Sequence, residues 1–166
     1  MDQIFTEIRG RFDPKTGTLL QRGAKSQMFW QMVKLGYPQD MYTDIQARAW
    51  AAKMYQVGNC GEQAAIAFLF LETITSAPLD YMEFGNTPTY DHDWVVIGRV
   101  SGSDPYKVRT WGAEAVWCDP WQLREGRVYS IDDLIKKKAT NLDSAFKLSS
   151  EELVNAGLPN VLYRRH

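Results

Sequence analysis

The sequence predicts an α+β domain in which a buried helix packs on an antiparallel β-sheet. Apolar residues recur at helical spacing through the first half of the chain, and beyond Pro78 they fall in short segments separated by Gly, Pro, Asn, Ser and Asp. Helices grouped ahead of strands favour an antiparallel sheet over βαβ units. At 166 residues the chain suits one domain with a substantial core and is short for two, so residues 1–166 are read as a single domain.

The first forty residues begin polar, pass through the Gly/Pro-punctuated FDPKTGTLLQRG and reach SQMFWQMVKLGY. There Met28, Phe29, Met32, Val33 and Leu35 predict a helix over about 24–35, stopped by Gly36 and Pro38. Next, MYTDIQARAWAAKMYQ sets Met41, Ile45, Ala49, Ala52 and Tyr55 along one stripe, a second helix that ends near Gly58. A third begins at Gly61; from Ala64 to Leu71 it is small or apolar almost all round, as a helix buried on nearly every face would be. The segments LDYMEF, DHDWVVIGRV, KVRTWGAEAVWCDPW and GRVYSI read as strands of a meander. SIDDLIKKK and SSEELVNAG each open on an N-cap Ser followed by acids, which predicts short C-terminal helices.

Charge excludes little but directs attention away from nucleic acid: 19 Lys and Arg against 20 Asp and Glu leave no single-sign field. Lys136–Lys138 and the pair Arg164, Arg165 read as solvated surface. The longest apolar run, Ala64–Leu71, is too short to span a bilayer. MDQIFTEIRGRFD has no apolar signal core, so the expected location is cytoplasmic, or outside the cell by a route without a classical signal peptide. No Gly-rich phosphate loop follows a strand and no acids are spaced with His or Cys as metal ligands, so neither cofactor nor metal is expected. The two cysteines, Cys60 and Cys118, are too few for a disulfide framework.

Cys60 stands out because GNCGEQAAIAFLFL places it at the mouth of the buried helix. A thiol at a helix N-terminus is biased toward thiolate by the helix dipole and free N–H groups; a neighbouring imidazolium adds to this. The chain has two histidines, His92 in YDHDWVVIG and the terminal His166, and His92 is the candidate base. Strand alternation sends His92, Trp94 and Val96 to one face and Asp93, Val95 and Ile97 to the other. Asp91 and Asp93 thus point away from the ring, and Asp119, ending the segment AVWCDPW ahead of Pro120, is the candidate orienting acid. Backbone N–H groups near Cys60, with Gln56 or Asn59, are candidate oxyanion donors. Trp94 and Trp121, with Trp117, are candidate walls of a substrate cleft or plain core and rim packing, while Cys118, opposite in phase to Asp119, is assigned to packing.

Taken in order, GNCGEQAAIAFLFL, DHDWVVIG and VWCDPW resemble the Cys, His and Asp segments of the papain-like and transglutaminase-like cysteine enzyme superfamily. Within it they are most similar to papain-fold glutamine deamidase domains of bacterial toxins and effectors. The resemblance spans about residues 56–122. It implies a papain-like fold, Cys60 as nucleophile, His92 as base and Asp119 as orienting acid. The implied activity is deamidation of a Gln or Asn side chain on a target protein through a thioester, with virulence as the biological setting. A thiol protease or a transglutaminase would use the same triad. One departure is that the Gln carried by the family's peptidases six positions before the cysteine is Met54 here, the nearest Gln being Gln56. A different class of reading is a non-catalytic protein-binding domain on a degenerate papain-like scaffold, in which Cys60 is buried and unreactive.

Overall fold

The computed structural model describes residues 36, 40–55, 58–84, 92–120, 128–131, 133 and 160–166. Two helices, α1 (Met41–Tyr55) and α2 (Cys60–Ile74), pack on a five-stranded antiparallel sheet. Its strands are β1 (Leu79–Phe84), β2 (His92–Ile97), β3 (Val116–Cys118), β4 (Val128–Ser130) and β5 (Asn160–Arg165), in the order β4-β3-β2-β1-β5. A single 3-10 turn, Val108–Thr110, lies between β2 and β3. The predicted helix over about 24–35, the predicted helix of SSEELVNAG and Lys136–Lys138 lie outside the described residues.

Both helices follow from their residue pattern. In α1, Ile45, Ala49 and Ala52 of the predicted stripe are buried, together with Ala51. In α2, Ala64, Ala65, Ala67, Phe68 and Leu71 are buried, but Ile66 and Leu69 are half-buried and Phe70 is exposed, so the helix is covered on the side that meets α1 and the sheet and not on nearly every face. The small side chains on both let the helix backbones come close, and the larger ones reach the sheet.

Alternation along the strands builds a core on each face. Leu79, Tyr81, Val95 and Cys118 join the helices in one cluster. Met82, Phe84, Trp94, Val96 and Trp117 form the other, closed by Val108, Trp111 and Ala115 from the segment after β2. The register Met82 opposite Trp94 and Val96 opposite Trp117 keeps each set on its side. KVRTWGAEAVWCDPW is therefore only in part a strand. Gly98, at φ +71°, turns the chain out of β2, and Val108 and Trp111 cover the sheet instead of extending it.

The strand β5 was not anticipated, and its arginines are not solvated surface. Arg164 donates to the carbonyl of Arg99 and pairs with the buried Asp80, to which the Arg99 guanidinium also donates. Arg165 donates to the carbonyls of Glu72, Thr75 and Ala77. Backbone carbonyls at the end of α2 have no intrahelical partner, and an arginine fork satisfies several at once. The charges are thus spent inside the fold.

Candidate active site

Helix α2 starts at Cys60 itself, with Asn59 as N-cap. The Asn59 backbone N–H donates to Glu62 Oε2 at 2.6 Å, one half of a capping box that fixes the first turn. Cys60 forms no disulfide and is half-buried, so the thiol belongs to the first turn, where the helix N–H groups lack intrahelical partners, and stays within reach of solvent. Cys118 is also free but buried against the helices. Burial, then the neighbouring Asp119 charge, pushes its thiol from 9.0 up to about 12.

His92 opens β2 and Asp119 follows β3, and the two meet on the sheet face expected from strand alternation. His92 Nε2 lies 2.7 Å from Asp119 Oδ2, both residues being buried. A carboxylate at that nitrogen holds the proton on Nε2 and leaves Nδ1 for the Cys60 thiol, which also interacts with the ring. Burial disfavours the charged ring, but the Asp119 hydrogen bond and the Cys60 sulfur together raise its pKa from 6.5 to about 10. One imidazole thus stands between a thiol and a carboxylate, in the protonated form.

Trp94 does not wall a cleft. It is fully buried and stacks on the His92 ring at 6.0 Å and 15°, with Trp117 stacked behind it at 5.5 Å and 20°. The alternation that aims His92 carries Trp94 to the same face, and that face is covered by the second core. An aromatic face behind an imidazolium steadies both its plane and its charge. Asn59 is exposed beside the thiol, whereas Gln56, Trp121 and Asp91 lie outside the described residues.

Asp93, set aside as an orienting acid, does turn away from His92, and it lands beneath the start of α2. Its Oδ2 accepts from the Tyr81 hydroxyl at 2.9 Å and from Arg48 Nη1 at 3.3 Å. Tyr81 and Arg48 carried no sequence signal of their own. The one available hint was Gly61, whose missing Cβ leaves room for this group beside Cys60.

Among the described residues no three His, Cys, Asp or Glu side chains are grouped to hold a metal ion. No helix among them is long and apolar enough to cross a membrane. No protein-family model, no curated protein and no solved structure matches this chain.

Proposed function

We propose that this protein is a papain-like cysteine hydrolase that acts on carboxamides and deamidates a Gln or Asn side chain of a target protein. The observation that carries the proposal is the single imidazole of His92 held between Cys60, at the N-terminus of α2, and Asp119. The choice of a carboxamide rests on the resemblance of GNCGEQ, DHDWVVIG and VWCDPW to toxin and effector deamidases.

The Cys60 thiolate adds to the amide carbon, and the oxyanion is received by the free backbone N–H groups at the start of α2. His92, protonated and oriented by Asp119, gives its proton to the leaving nitrogen, which departs as ammonia and leaves a thioester. Neutral His92 then takes a proton from water, whose oxygen attacks the thioester carbon. The C–S bond breaks, and the products are a carboxylic acid on the target and regenerated Cys60. Net, one water is consumed and one ammonia released.

The test compares digests of a cell lysate after expression of wild type and of Cys60→Ala. The expected result is Gln-to-Glu or Asn-to-Asp conversion at defined sites with wild type alone. New chain termini would replace deamidation by proteolysis, and incorporation of an added amine would replace it by transamidation. No difference, with iodoacetamide labelling Cys60 as slowly as Cys118, would overturn catalysis and leave a binding domain.

A further inference from the structure

We propose that Asp93, Tyr81 and Arg48 form a positioning set that holds the first turn of α2 and thereby sets the Cys60 thiol relative to His92. The inference rests on the reading of Cys60 and His92 as nucleophile and base.

Neighbouring residues of a strand point to opposite faces, and β2 uses this twice over. His92 faces Asp119, while Asp93 faces the helices. From α1, the Arg48 guanidinium reaches Asp93 at 3.3 Å while its Nε donates to Asp44 at 2.6 Å. From β1, the fully buried Tyr81 hydroxyl lies 2.9 Å from Asp93 Oδ2 and 2.9 Å from the carbonyl oxygen of Gly61. Its single hydrogen serves one of these acceptors at a time. Burial, then the Asp93 charge, holds its ionisation well above 10.0, so it remains a neutral donor. Glu62 is the remaining charged group near this hydroxyl.

Gly61 shows how tight the approach is. A Cβ there would lie 3.0 Å from both Arg48 Nη1 and Asp93 Oδ2. The residue after the nucleophile therefore sits directly on the group formed by Asp93, Tyr81 and Arg48. A largely buried charge pair is a weak source of net stability, since apolar packing of equal volume often does as well. What it supplies here is a fixed place. The helix that carries the thiol and the ring that serves it are both anchored to the dipeptide His92-Asp93, so their separation does not depend on a loop.

The experiment uses the full-length chain and the variants Asp93→Ala, Asp93→Asn and Tyr81→Phe. For each, the rate of Cys60 alkylation by iodoacetamide is followed against pH, well below the melting temperature, and melting is recorded separately. A displacement of about 1 Å at a reacting atom costs up to ~100-fold. We expect Asp93→Ala to slow alkylation about 10-fold or more and Tyr81→Phe about 3-fold, inside that limit. Asp93→Asn keeps an acceptor oxygen for both donors and recovers most of the rate. Lower melting temperatures with unchanged alkylation profiles would reduce the set to a purely structural role and overturn the inference. Should Asp93→Ala fail to fold, Tyr81→Phe, which removes one oxygen from an otherwise identical ring, decides the question alone. Wild-type Cys60 no faster than Cys118 would instead overturn the nucleophile, a result distinct from fast wild type beside unchanged variants.

Discussion

Replacing Asp119 by alanine removes the carboxylate 2.7 Å from His92 Nε2 and leaves the ring buried. With that partner gone, burial works against the imidazolium and only the Cys60 sulfur still supports it. A lost carboxylate neighbour lowers a pKa by about 1 to 3 pH units, so the midpoint drops from about 10 toward 6.5. At pH 8 the wild-type ring is charged by on the order of 100 to 1, and in Asp119→Ala a large neutral fraction appears. The linkage has a definite sign. Because the folded pKa lies above the unfolded one, stability from this group is complete below pH 6.5 and is lost as pH rises toward about 10. The amount is on the order of a few kcal/mol. Cys118 acts in the same direction, but only above its ordinary 9.0. The assay is therefore urea unfolding between pH 6.5 and 9, together with NMR titration of the imidazole signals of His92 and the exposed His166. Wild type should lose stability across this window, and Asp119→Ala should show a much flatter dependence from a lower starting value. A wild-type His92 midpoint at or below 6.5, or equal slopes in the two proteins, would refute the reasoning.

Two further substitutions probe the ends of α2. Gly61→Ala gains about 1 kcal/mol in helix propensity but forces a Cβ to 3.0 Å from Asp93 and Arg48; overpacking of about 1 to 3 kcal/mol should win, lowering the urea midpoint and slowing Cys60 alkylation together. Arg165→Ala strips the donor shared by the carbonyls of Glu72, Thr75 and Ala77, for an expected loss of about 1 to 3 kcal/mol by thermal or urea unfolding. Arg165→Lys should recover only part of it, because an ammonium cannot fork across all three.

Much of the local structure was legible because it depends on period. The stripe Ile45, Ala49, Ala52 and the apolar run Ala64–Leu71 identified α1 and α2, and alternation in HDWVVI identified β2 and the face that His92 shares with Trp94 and Val96. Alternation set Asp93 aside and put Cys118 opposite Asp119, whereas Asp119 itself was singled out as an acid ending another strand ahead of Pro120; it lies 2.7 Å from His92, and Cys118 is in the core. Arg164 and Arg165 were misread because charge predicts exposure only when no acceptors wait nearby, and theirs come from residues more than sixty positions away. For Trp94 the sequence left cleft wall and core packing both open, because phase says which face a side chain takes and says nothing of what covers that face; the structure buries it in the second core. The covering segment, with Val108 and Trp111, carries a turn and a 3-10 helix in place of a strand.

The sequence by itself determined the α+β class, the placement of a cysteine at the start of a buried helix, and the faces to which His92, Asp93, Cys118 and Asp119 point. These follow from helix and strand periods, which act between neighbours along the chain. Only the tertiary structure decided that β5 lies beside β1 in the sheet, that Trp94 and Trp117 stack behind the imidazole, and that Asp93 meets Arg48 of α1 and the Tyr81 hydroxyl, which also reaches the Gly61 carbonyl. Those contacts join residues far apart in sequence, and their partners are chosen by the packing of whole elements, which no local period encodes.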